Sequence, residues 1–429
     1  MRPGLRLEST SGPSDDARPT MSGNAVLFAL VYLGFTAGLP GRLNVELGLF
    51  SLQLAVALGV GWIGWHGLRT WPALRSYRRF ALALSVWMCV SSIAAWDTSA
   101  LYWSATTAMW LLFIVPGIAN LLRRETNRKA LILGIFGAAL AYAFTGLGRL
   151  AVGREVFDMP NPDRGVLLGV KRGLVNARLV YVIPFFVANA PPLARRLRWV
   201  GAAAAVAGII VSGGRAGLVG LSVVCLAYAV MRPGTSQKLK AFLTAALLGL
   251  VLVTAIGEFG GQAVIGKNRL VSYIRGERTS GDEKREAWLK RAWHVGLKNP
   301  AFGIGYGNVE GTPDEAFDKI RNRQGRQKAQ EVGVHNTYAQ VFAEFGVPGA
   351  LAFVLLLFSL LRQGWLERGR REVLAATSGL VGLMLVMVFN PIALSFAYFP
   401  LAYLVGALGE VDRSAPDRAL PDRAPRGIP

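Results

Sequence analysis

The sequence predicts an all-α polytopic membrane protein with about twelve transmembrane helices of roughly 20 residues each and one long periplasmic loop containing surface helices. Two observations carry that expectation. Hydrophobic residues make up 52% of the 429-residue chain and charged residues only 17%, with a mean hydropathy of +0.38, whereas soluble domains carry about 25% charged residues. The 47 Lys and Arg, set against 26 Asp and Glu, mostly punctuate apolar runs, as retention of cations beside anionic cytoplasmic lipid requires. The net charge of +21 is therefore assigned to topology, with no nucleic acid as partner. Cys89 and Cys225 both lie inside apolar stretches, far from any metal-ligand spacing, and support neither a zinc site nor a disulfide framework.

Residues 1–22 are polar and rich in Pro, Ser, Asp and Arg, too poor in apolar groups to pack, and read as a disordered cytoplasmic arm, with Met21 as an alternative start. Residues 23–257 carry nine spans, at 24–40, 48–68, 80–96, 100–122, 130–148, 173–190, 199–212, 216–231 and 241–257. The first lacks a clear small-residue cleavage site and is read as an uncleaved helix. Residues 258–346 form the long loop, residues 347–410 hold spans at 347–361, 373–390 and 394–409, and residues 411–429 form a disordered cytoplasmic tail. Alternate loops carry Arg69, Arg75, Arg78 and Arg79; Arg123, Arg124, Arg128 and Lys129; Arg195, Arg196 and Arg198; Arg232, Lys238 and Lys240; and Arg362, Arg368, Arg370 and Arg371. The positive-inside rule makes that side cytoplasmic, so both termini are inside and the long loop is periplasmic.

Chemistry concentrates in the loop. Ser280-Gly281-Asp282-Glu283 fits a capping box and predicts a helix running to about Lys298. Trp288, Leu289, Ala292, Trp293 and Leu297 recur on one face and Lys284, Arg291 and Lys298 on another, so the helix is expected to lie on the membrane surface, with the indoles as bilayer anchors. Arg278 and Arg285 flank its electropositive N-terminal end, where either phosphate contact or plain solvation accounts for them. Phe302-Gly303-Ile304-Gly305-Tyr306-Gly307-Asn308 lacks the surroundings of a nucleotide loop and reads as a tight turn. Residues 311–331 are polar and non-periodic, a candidate mobile cover.

A second helix opens at His335-Asn336-Thr337-Tyr338 and stops at Gly346, with Pro348 two residues on. Asn336, Gln340 and Glu344 share one face, and Tyr338 lies on another. His335 is either a helix-start residue or a general base for a sugar hydroxyl, since imidazole alone titrates near neutrality. Arg215, between two apolar runs, and Arg178, early in the sixth span, are functional candidates because guanidinium at such depth needs a cavity or partner.

Asn299-Pro300-x-x-Gly303-x-Gly305-x-Gly307-Asn308 and His335-Asn336-x-Tyr338-x-x-x-x-x-Glu344-x-Gly346-x-x-Gly349 resemble the bacterial O-antigen ligase and polymerase superfamily, over roughly residues 170–360 plus the twelve-helix topology. Ser212-Gly213-Gly214-Arg215 stands where the family commonly has Ser-x-Ser-Arg, with Gly214 replacing the second serine. The resemblance implies metal-independent glycosyl transfer at the periplasmic face of the bacterial inner membrane, without a cofactor. The implied donor is an undecaprenyl-diphosphate-linked glycan and the acceptor a lipid such as lipid A-core, or another glycan. It makes His335, Arg215 and Arg285 the catalytic candidates, and Arg178, Arg278, Asn336, Tyr338 and Glu344 the substrate-binding ones. A polymerase of the same superfamily is the alternative, and a lipid-linked sugar transporter a more distant one, since the polar residues gather at one face and no internal repeat is visible.

Overall fold

The computed structural model describes residues 75–122, 125–152, 166–167, 170–190, 193–212, 215–232, 280–310, 334, 336–389 and 394–408. The spans expected at 24–40, 48–68 and 241–257, both terminal arms and the 311–331 segment lie outside the described residues. Within them the chain is helical apart from one antiparallel hairpin, β1 (Val166–Leu167) with β2 (Val170–Lys171).

The helices follow the apolar runs in order. They are α1 (Arg75–Ala94), α2 (Thr98–Met109), α3 (Val115–Leu121), α4 (Glu125–Val152), α5 (Arg172–Ala188), α6 (Arg195–Ser212), α7 (Arg215–Met231), α8 (Ser280–Lys298), α9 (Thr337–Leu366), α10 (Arg371–Phe389) and α11 (Leu394–Leu408). Three helical stretches are long and apolar enough to cross a membrane, Thr98–Leu121, Thr337–Leu366 and Arg371–Val388, with shorter apolar helices at Ala177–Ala188 and Ala216–Met231. The chain is a membrane protein built on an apolar helical bundle.

Between α2 and α3 a π-turn, Trp110–Ile114, joins the two into one apolar rod. Pro116 explains it: the ring has no N–H to give and crowds the carbonyl four residues back. Instead the Val115 N–H reaches the Trp110 carbonyl, a five-residue step that keeps the rod continuous.

The basic residues expected in loops mostly sit inside helices. Arg78 and Arg79 are in α1, Arg128 and Lys129 in α4, Arg195, Arg196 and Arg198 in α6, Arg362 in α9, and Arg371 opens α10. The helices outrun their apolar stretches, because a backbone that leaves the hydrocarbon keeps its own hydrogen bonds for as long as side chains cover it. Arg128 shows what this allows. Its Nε lies 2.9 Å from Glu372 Oε2 in α10, and its Nη1 donates to the Leu122 carbonyl at 3.1 Å, at the end of α3. With both side chains largely buried, removing one partner strands a charge, so Glu372→Ala is expected to cost about 3 kcal/mol or more. Arg128→Met/Glu372→Met should recover most of that. Thermal unfolding of the two variants in detergent checks it, and equal Tm losses would show that the pair matters only as two separate side chains.

The main core joins α1, α3, α5, α9, α10 and α11, with Leu84, Val115, Phe186, Phe353, Ala376 and Tyr403 among its buried residues. Contact between α5 and α10 is close enough that a Cβ on Gly379 would come 2.5 Å from the Tyr181 carbonyl oxygen. That is how apolar helices gain affinity where lipid offers the same apolarity.

Candidate active site

The sequence placed a helix stop at Gly346 and a separate span from 347. The structure joins them in α9 and breaks that helix at Gly346, whose backbone takes φ 66° and ψ −168°, a region essentially reserved for glycine. The break has two consequences. Carbonyls just before it lose their partners four residues on, and amides just after it lose theirs four residues back. Buried main-chain groups left open are expensive, so the partners must come from elsewhere in the chain.

They come from the glycine turn and from α1. Ile304 N donates to Ala343 O at 3.1 Å and Gly305 N to Glu344 O at 2.9 Å. Ser91 Oγ donates to Glu344 O at 2.8 Å and Trp87 Nε1 to Phe345 O at 2.8 Å. On the other side, Val347 N donates to Pro300 O at 2.7 Å, and Pro348 needs no partner. The tight-turn reading of 302–308 is correct, with Gly303, Gly305 and Gly307 at φ 69°, 84° and 76°. The turn also splints the break. The ring of Phe302 stacks on Trp87, with centroids 5.5 Å apart and planes 8° from parallel.

Above the break, Asn336 caps the helix, its Oδ1 accepting from Ala339 N at 2.9 Å. The expected polar face is present: Gln340 Nε2 donates to Glu344 Oε1 at 2.9 Å, and the Glu344 side chain is buried. The Tyr338 hydroxyl donates to Met384 O in α10 at 3.1 Å, which ties this part of α9 to α10.

Beside the turn, Asp97 caps α2 by accepting from Ser99 N at 2.8 Å and Ala100 N at 3.3 Å. Its carboxyl is held below the usual range by the Ala100 amide first and then by the Asn308 side-chain amide, with burial opposing and Ser99 adding. The Asn308 amide also donates to Ile304 O at 2.8 Å. Tyr306 is pushed up by burial and by the negative charge of Glu344, against a hydrogen bond with Thr107. Asp97, Thr107, Ser91 and Trp87 escaped the sequence reading. A break at Gly346 announces that carbonyls need donors, but the donors lie more than 250 positions away for Trp87 and Ser91, and no local signal names them.

Helix register places the arginine candidates. A Cβ on Gly220 of α7 would lie 2.7 Å from Val386 Cγ2 of α10 and 3.2 Å from Val180 Cγ2 of α5. Arg178 precedes Val180 by two positions, so it lies about 3 Å nearer than Val180 to the end at which α10 finishes. Arg215 is the first residue of α7, five positions before Gly220 and so about 7.5 Å further toward the same end. The structure thus brings the backbones of Arg178 and Arg215 to the end of the bundle where Asn336 and Tyr338 stand. Arg285 lies in the second turn of α8. His335 and Arg278 lie outside the described residues.

The expectation that Trp288 anchors α8 in the bilayer is corrected. Trp288 is 2% exposed and packs with Ala292 and Val295 on Val309, Val334, Ala339 and Ala343. Arg291, assigned to a polar face, is buried too, with its guanidinium 5.0 Å over the Trp288 ring. Trp293 remains half-exposed against Phe342. An amphipathic stripe reports that one face is covered, and here the cover is α9.

Over residues 200–354 the chain matches the family model described as O-antigen ligase. The matched stretch contains the Arg215 helix start, the glycine turn and the broken helix. Among curated proteins none matches the chain.

Proposed function

We propose, from the match to the O-antigen ligase family model over residues 200–354, that the chain is a ligase which moves a glycan from undecaprenyl diphosphate to lipid A-core at the periplasmic face of the inner membrane. The observation that carries the reading is the broken helix α9. Discontinuous helices gather polar side chains at membrane depth where a substrate must be met, and this one carries Asn336, Gln340 and Glu344 on its outer half.

The reaction forms a bond between the acceptor oxygen and the anomeric carbon and breaks the bond from that carbon to the diphosphate oxygen. His335 takes the acceptor hydroxyl proton, and the diphosphate leaves with the electron pair. Arg215 and Arg285 meet the negative charge that develops there, with Arg178 and Arg278 binding the diphosphate in the ground state. Guanidinium suits the task because its planar fork meets two oxygens at once. At an effective dielectric of about 20, each arginine within about 4 Å contributes roughly 4 kcal/mol of gross attraction, enough to replace the metal ion that often stabilises such a leaving group. Asn336 and Glu344 are assigned to sugar hydroxyls, with Tyr338 lining the same end.

The test is a purified protein supplied with labelled polyprenyl-diphosphate glycan, with either lipid A-core or excess donor as acceptor, in the presence of EDTA. Label on lipid A-core supports the ligase. Lengthened donor chains would instead establish a polymerase, and loss of all transfer with EDTA would overturn the metal-free mechanism.

A further inference from the structure

The connection between α1 and α2 turns a set of aromatic rings outward. Trp96 N donates to Ile93 O at 3.0 Å, and Trp96 itself takes φ 52°. Glycine is the usual occupant of a left-handed helix end, and a bulky residue there is strained. No packing within the protein offsets that strain, since Trp96 is 93% exposed. Asp97 then caps α2. In the first two turns of that helix Tyr102 and Trp103 are exposed too, edge to face with centroids 5.4 Å apart. A strained residue that gains nothing inside the molecule directs attention to what meets it outside.

The order of side chains down this face identifies the partner. The rod Thr98–Leu121 has 24 residues, about 36 Å at 1.5 Å per residue, against a hydrocarbon core of about 30 Å. A rod of that length reaches the headgroup layers. Exposed residues from its Thr98 end inward include Thr98 and Ser99, then Tyr102 and Trp103, then Met109. Hydroxyls, amphipathic rings and an aliphatic chain thus follow the order of water, headgroup layer and hydrocarbon. Helical side chains lean toward the N-terminus, which carries the two rings toward the headgroups. The Thr106 hydroxyl, one turn deeper, donates to the Tyr102 carbonyl at 2.8 Å and so needs no water. From Val90 to Met109 the one charged residue is Asp97, whose carboxylate accepts from the Ser99 and Ala100 amides. The face therefore carries no cation for an acidic partner. A glycan also stacks on such rings, but it does not account for their graded order along the rod.

We propose that the tip between α1 and α2 is an interfacial anchor, with Trp96, Tyr102 and Trp103 seated in the headgroup layer of the leaflet it adjoins. The rings lie against the upper acyl chains, while the indole N–H groups and the Tyr102 hydroxyl donate to lipid ester and phosphate oxygens. On its inner side the tip carries the glycine turn. A Cβ on Gly305 would lie 2.9 Å from Ala95 Cβ and 3.3 Å from Ala100 Cβ, and Ser91 Oγ donates to Glu344 O at 2.8 Å. The turn and the break in α9 therefore lie at the level of the anchor. The anchor does not depend on the glycosyl-transfer reading, since it needs only the membrane.

The test uses the full chain labelled with fluorotryptophan in phosphatidylcholine nanodiscs, read by fluorine NMR. Trp96→Gly, whose backbone suits the left-handed turn, and Trp103→Phe identify the two resonances. A nitroxide on the lipid headgroup should broaden both more strongly than a nitroxide at the end of the acyl chain. Adding phosphatidylglycerol should leave that pattern unchanged, because the face has no cation. Broadening by a soluble gadolinium chelate, with no effect from either lipid label, would place the tip in water and overturn the anchor. Strongest broadening by the chain-end label would put the rings in hydrocarbon and overturn it as well. So would resonances that shift on adding polyprenyl-diphosphate glycan and ignore the headgroup label, which would make the rings a sugar platform.

Discussion

Alanine at position 335 is expected to lower glycan transfer by about 10²–10⁴-fold, the range in which a positioned base contributes, with membrane insertion and donor binding kept. His335 directly precedes the Asn336 cap of α9, and Val334 on its other side is buried. A base acts in the transition state, so the loss should fall on kcat and not on donor affinity. A base works only when unprotonated, so acidification should slow transfer by the wild type. Single-turnover transfer by wild type and His335→Ala, with donor binding measured separately, checks both points. A residual rate within about tenfold of wild type would return His335 to a purely structural place at the helix start.

Gly346→Ala is expected to be strongly destabilising. Its backbone is in the glycine region, where another residue costs about 1–3 kcal/mol. A Cβ there would also lie 2.6 Å from the carbonyl oxygens of both Pro300 and Ala301, so the turn must move away. Moving it releases Ile304 N and Gly305 N from the Ala343 and Glu344 carbonyls, and each buried group left unsatisfied costs about 1–3 kcal/mol more. The expected result is a Tm drop well beyond that of Trp87→Phe, which removes only the indole N–H from the Phe345 carbonyl. Transfer should fall as well, because Gln340 and Glu344 are carried by the half-helix whose direction the break sets. Similar Tm values for the two variants would show that the turn tolerates displacement and that the break is not held by it.

Much of this architecture was legible from residue order. Most of the apolar runs between 80 and 408 became helices, a helix opened just after Asn336, and Gly346 with Pro348 marked a real interruption. The glycines of 302–308 marked a turn because positive φ is open to glycine and costly to most other residues. These are local properties, set by backbone sterics and by neighbours within a turn or two, and residue order by itself determined them.

Tertiary structure decided what covers each surface and what answers each open group. Sequence periodicity showed that Trp288 lies on an apolar face, but bilayer and protein are equally apolar covers, and only packing on α9 put Trp288 and Arg291 inside the protein. The rule that predicts basic residues at one membrane face counts Arg128 without naming Glu372 as its partner. The interruption of α9 declares a need for donors, and only the fold supplies Trp87 and Ser91 to meet it. A hydrogen bond between residues more than 250 positions apart leaves no pattern in the local sequence, because its energy depends on where two distant backbones come to rest.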